Sequence, residues 1–159
     1  MITHSTIFVM AYDTDKYGIL KVAAKTYNSA FRSLKALSSL PVVKENEQTY
    51  YYGIPIIINQ ALFCEIALKA LIIRDENEYK RIHKLDELFY SLTFKTQELI
   101  FDKMGDDVTK KEFTKLLKEN NNHFNNWRYF YEKGAVCDAE FMDRFSLAVM
   151  TILDDNNLE

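Results

Sequence analysis

Between Pro55 and Ile73 the chain reads PIIINQALFCEIALKALII, with apolar residues on nearly every side of a helical projection. This pattern predicts a helix buried by neighbours on most faces. Pro55 suits its first position, where the missing N–H has no intrahelical partner to lose. The stretch is long enough to cross a bilayer. Asn59, Gln60, Glu65 and Lys69 interrupt it, however, and each charge at mid-membrane depth costs several kcal/mol. It is therefore expected to be the central helix of a soluble all-helical domain. Glu65 and Lys69 stand one turn apart, in the favourable order for an ion pair.

The periodicity of the rest is also helical. Tyr17, Leu20, Ala24, Tyr27, Phe31, Leu34 and Leu37 recur at three- and four-residue spacing and predict a helix from Asp15 to about Ser39, stopped by Pro41. Residues 42–54 read as a loop with a short extended piece, and Asp75-Glu76-Asn77-Glu78 as a solvated turn. His83, Leu85, Leu88, Phe89 and Leu92 predict a helix starting near His83, with Asp86 and Glu87 in its first turn, where the helix dipole favours acids. A short helix is expected over Thr96–Lys103, before the Gly105-Asp106-Asp107 break. Thr109 and Glu112 have the spacing of a capping box, opening a helix whose buried face is Phe113, Leu116 and Leu117. The last helix is expected over Ala139–Leu153, carrying Phe141, Phe145, Leu147, Ala148, Val149 and Ile152. The fold class is an all-α, up-and-down bundle with two long antiparallel helices and several short ones. It forms a single domain over residues 1–159, with an N-terminal arm (1–14) and an acidic tail (154–159).

Composition narrows the function. With 159 residues, 48% of them hydrophobic, four Gly and two Pro, the chain can bury one proper core and is not a disordered or loop-rich protein. A net charge of −3 argues against a nonspecific electrostatic grip on nucleic acid by the whole surface, while leaving room for a local basic cleft. Cys64 and Cys137 make no disulfide framework, and Cys64 reads as a small core residue. The start, MITHSTIFVMAYD, lacks the layout of a signal peptide, so a cytoplasmic location without membrane insertion is expected. No His, Cys and carboxylate spacing resembles a metal site, and no cofactor is expected. Ten Tyr and eleven Phe suit a packed helical core and a sizeable protein–protein surface.

The candidate chemistry lies in polar residues set among apolar ones: Glu65 and Lys69, then His83 and Asp86, then Arg128 and Glu132 within WRYFYE. Burying such groups is costly unless they find partners, so the economical expectation is that they meet. Arg128 or Lys69 would then pair with Glu65 or Glu132 near His83.

The order of ALFCEIALKALI, KRIHKLDELF and FNNWRYFYE resembles the HEPN superfamily (higher eukaryotes and prokaryotes nucleotide-binding domains). One broad subgroup has Glu and Lys a turn apart, then a His-x-Leu-x-x-Leu helix start, then an aromatic-Arg-Tyr-x-x-Glu segment. Glu65, Lys69, His83, Leu85, Leu88, Arg128, Tyr129 and Glu132 match those positions, over residues 55–133. The resemblance implies a HEPN-like bundle, usually a homodimer, often a metal-independent RNase of toxin–antitoxin or phage-defence systems. It further implies a nucleotide or RNA ligand and a cognate partner protein. His83 would move the 2′-hydroxyl proton and Arg128 would steady the phosphate charge, with Glu65, Lys69, Asp86, Tyr129 and Glu132 supporting them or binding ligand.

The chain departs from the usual RNase signature, in which a His follows an Arg by about four to six residues. Its histidines are His4, His83 and His123, and none follows Arg128. His123 and Arg128 stand in reverse order, and on a continuous helix they would point about 140° apart. Weak or no RNase activity is thus the expectation. The alternative is a non-catalytic dimeric interaction or scaffold module whose polar residues form a structural network. In that case Glu65–Lys69 and Arg128–Glu132 fix helix register, and His83 is tied to a core carboxylate.

Overall fold

The computed structural model describes residues 15–38, 44–45, 48–49, 53–76, 78, 81–121 and 137–155. Among them the chain is all-α, with six helices: α1 (Lys16–Ser38), α2 (Gly53–Glu76), α3 (Leu85–Tyr90), α4 (Phe94–Asp102), α5 (Lys110–Glu119) and α6 (Ala139–Leu153). The short extended piece is a two-residue antiparallel ladder pairing Lys44 with Thr49 and Glu45 with Gln48.

The long helices α1 and α2, each about 35 Å at 1.5 Å per residue, pack along one another. Their relative direction follows from shared partners on α6. Near its C-terminal end, α1 bonds the early part of α6 through Lys35 and Asp143, while Lys25 reaches Asp154 beyond the end of α6 at 2.6 Å. On α2, Gln60 donates to Asp143 at 2.9 Å, and Arg74 donates to the Ile152 carbonyl at 3.2 Å. Helix α6 therefore runs parallel to α2 and antiparallel to α1. Between α2 and α6 the described residues form three short helices, α3, α4 and α5.

Helix α2 is buried almost continuously from Gln60 to Ile73. Its alanines at 61, 67 and 70 are at most 1% exposed. Two-thirds of its apolar window lies inside the bundle, so the stretch long enough to span a membrane is the core helix here. Around it, α1 contributes Ala24 and Phe31. The rings of Phe89, Phe113, Phe141 and Phe145 join α3, α5 and α6, with centroids 5.0–6.3 Å apart. Cys64 is buried, and its thiol is pushed up out of the titrating range by burial.

Several expected boundaries move, each for a local reason. Helix α2 begins at Gly53, which puts Pro55 third instead of first; an N–H there also has no intrahelical acceptor. Asp75 and Glu76 finish α2 instead of forming a solvated turn, because Asp75 is bonded inside the bundle. Helix α3 opens at Leu85 rather than at His83, since Lys84 is still extended (φ −85°, ψ 130°). Helix α4 opens at Phe94, two residues ahead of expectation, because Thr93 caps it by accepting from the Thr96 N–H. Leu147 faces solvent at 57% exposure instead of joining the core. The capping box of Thr109 and Glu112 is present, and α6 has the expected bounds.

Candidate functional site

Glu65 lies midway along α2 and is only 6% exposed; Lys69, one turn on, is 5% exposed. The Lys69 ammonium donates to Glu65 Oε1 at 2.8 Å, supplying the opposite charge that a buried carboxylate requires. The same oxygen accepts from His83 Nδ1, also at 2.8 Å. Lys69 and His83, 14 positions apart, thus converge on one carboxylate oxygen of Glu65.

The non-helical connector before α3, residues 81–84, brings His83 to this place. Leu85 is buried in the core, and its N–H donates to the Asn121 carbonyl at 3.0 Å, tying the connector to the end of α5. Asp86 belongs to this anchoring rather than to the carboxylate cluster. Its Oδ1 accepts the Glu87 N–H, and its Oδ2 accepts from Asn121 at 3.4 Å. Arg128, Tyr129 and Glu132 lie outside the described residues, as do His4 and His123.

The chemistry of the trio follows from donor and acceptor roles. An ionised carboxylate can only accept, so the proton in the Glu65–His83 bond sits on His83 Nδ1. In the neutral imidazole, Nε2 then carries the lone pair. The His83 side chain is 63% exposed, and no hydrogen bond to Nε2 is formed among the described residues. An imidazole oriented by a buried carboxylate, with its distal nitrogen open, is the arrangement that general acid–base catalysis uses. Among the described residues no group of three or more His, Cys, Asp or Glu side chains could hold a metal ion. Cavities lined by described residues occur away from the trio, beside α3, α4, α5 and the start of α6.

A second buried polar network is one the sequence pattern does not reveal. Asp75 at the end of α2 accepts from Arg74 Nε at 2.8 Å, from Thr96 Oγ1 at 2.6 Å and from Thr93 Oγ1 at 3.2 Å. Arg74 and Asp75 side chains are 7% and 10% exposed. Arg74 also reaches the Ile152 carbonyl, so this clasp joins the ends of α2 and α6 to the cap of α4. Its one visible signal is the T-x-x-T spacing of Thr93 and Thr96 at a helix start. Gln60, read only as an interruption of the apolar stretch, bridges to Asp143 and Ser146 on α6.

No known protein family, curated protein or solved structure matches this chain in comparison.

Proposed function

We propose that this chain is a HEPN-like protein of a prokaryotic defence, toxin–antitoxin or stress system. In this reading it acts in the cytoplasm as a homodimer, binding nucleotide or RNA with weak or no metal-independent RNase activity. The observation that carries the proposal is the imidazole of His83 held by Glu65 through Nδ1, on a side chain 63% exposed. Proton transfer to or from a 2′-hydroxyl is assigned to His83 Nε2. Charge stabilisation on the phosphate is assigned to Arg128, and Glu65 with Lys69 positions the imidazole.

The test has a binding arm and a cleavage arm. Mononucleotides and short RNA should raise the melting midpoint of the parent, since a ligand of the folded state alone stabilises it. Arg128→Ala should lose that rise. Any cleavage of RNA in chelator should disappear in His83→Ala. Unmoved midpoints at millimolar ligand, with equal background cleavage in parent, His83→Ala and Arg128→Ala, would overturn the proposal.

A second reading is favoured by the near-complete burial of Glu65 and Lys69 within one subunit. In it the trio is a structural clasp in a dimeric scaffold or interaction module, and the polar residues fix the register of the helices. It predicts a loss of stability in Glu65→Ala and no effect of any nucleotide on the parent's melting.

A further inference from the structure

His83 stands on a stretch that does little to hold itself in place. Residues 81–83 are non-helical and form no backbone hydrogen bond among the described residues. Fixing the backbone of three residues costs more than one hydrogen bond from a largely exposed side chain returns. The bond to Glu65 therefore cannot place the imidazole by itself. The contacts that place it flank it. Ile82 packs against the core, and Leu85 is buried with its N–H on the Asn121 carbonyl at 3.0 Å.

Asn121 also reaches this stretch with its side chain, donating from Nδ2 to Asp86 Oδ2 at 3.4 Å. The preceding residue fixes Asn121 from behind. Asn120 is buried, and both polar atoms of its carboxamide are engaged. Its Nδ2 donates to the Leu116 carbonyl, one turn back on α5, at 2.8 Å. Its Oδ1 accepts the N–H of Asp138, the N-cap of α6, at 3.2 Å. Hydrogen bonds thus run from the start of α6, through the end of α5, to the connector that carries His83. Asparagine suits the place because a carboxamide donates and accepts at once, and because it continues a helix poorly.

We propose that Asn120 and Asn121 are positioning residues for His83. They seat the connector so that imidazole Nδ1 meets Glu65 Oε1, which leaves Nε2 for the ligand. The consequence for RNA rests on the functional reading of His83. The seating itself is read without any ligand, so the two can fail separately.

The test is nitrogen-15 NMR of the full chain at a pH where the His83 ring is neutral. It measures the ratio of Nδ1-protonated to Nε2-protonated imidazole. Asn121→Asp sets a carboxylate against that of Asp86, and Asn120→Ala removes both bonds of the buried carboxamide. Each is expected to lower the ratio about fivefold or more, the scale of a typical coupling between sites. Asp86→Asn combined with Asn121→Asp restores one donor and one acceptor, and is expected to recover most of the loss. Thr109→Ala weakens α5 at its other end and is expected to leave the ratio unchanged, which separates seating from mere destabilisation.

A ratio unchanged in Asn121→Asp and Asn120→Ala would overturn the proposal. So would an equal fall in Thr109→Ala, or no recovery in the exchanged pair. If Asn120→Ala does not fold, Asn121→Asp and the exchanged pair decide, since Asn121 is only half-buried. Melting with mononucleotides, run in parallel, tests the functional reading alone: a parent with no rise in midpoint defeats that reading, while the ratio still decides the seating.

Discussion

Replacing Glu65 by alanine is the sharpest perturbation of the cluster on α2. The carboxylate accepts from Lys69 and His83 at 2.8 Å each, and the two contacts differ in weight because of exposure. Lys69 is 5% exposed, so removing its partner approaches the case of breaking a buried pair, about 3–5 kcal/mol. The His83 side chain is 63% exposed, and solvent takes over most of what it loses. Lys69 also makes a further interaction besides Glu65, which sets the total at the lower end, about 3 kcal/mol. For a chain of this size that lowers the melting midpoint by about 6–12 °C. Glu65→Gln should cost less, because the amide oxygen can still accept, and His83→Ala should cost least. Urea unfolding of the three variants at pH 7 checks the order. A Glu65→Ala protein within about 0.5 kcal/mol of the parent, or His83→Ala as damaging as Glu65→Ala, would refute the reasoning.

Three further outcomes are expected. Asp75→Ala should destabilise by about 3 kcal/mol in urea unfolding, because it strips the buried Arg74 guanidinium of its carboxylate at the junction of α2, α4 and α6; a loss below 0.5 kcal/mol would remove that clasp from the fold's main supports. Thr109→Ala should cost about 1 kcal/mol, read by the same method, since it removes the hydroxyl that accepts the Glu112 N–H and donates to the Glu112 carboxylate, while the Thr109 N–H keeps its bond to that carboxylate. Arg144→Gln should lower stability at pH 7 and match the parent in acid. Arg144 holds the Asp107 carboxyl below its ordinary 3.8, so the stability it brings is present above that value and is lost as the pH falls through the lower folded-state value. A separation of parent and variant melting curves that persists undiminished to the acid end of the series, well below the ordinary carboxyl value of 3.8, would contradict this.

How far the fold was legible depended on whether the deciding interaction was local. Helix α6 has the expected bounds because Asp138 caps it and its apolar positions keep one period to Leu153. The α5 capping box is likewise contained within four residues. Asp75 was misread because its role comes from Thr93 and Thr96, on the far side of a connector, and a run of acids after an apolar helix otherwise means a turn. Leu147 fits the apolar stripe of α6 by spacing, yet no neighbouring element covers it.

The candidate site was legible in part for the same reason. Glu65 and Lys69 were readable as an i, i+4 pair in an apolar helix. That His83 shares the same carboxylate oxygen depends on the non-helical path of residues 81–84 and on the seating of Leu85, which no periodicity encodes. Asp86 carried a similar sequence signal and instead serves the α3–α5 junction through Asn121.

The central claim is that a buried carboxylate fixes the protonated nitrogen of His83 and leaves the other free to exchange protons with a ligand. Nitrogen-15 NMR of the neutral imidazole in the intact protein reads that directly. The geometry predicts a proton on Nδ1 and a lone pair on Nε2, with the preference weakened in Glu65→Ala. A neutral His83 protonated on Nε2, with spectra unchanged by Glu65→Ala, would contradict the account.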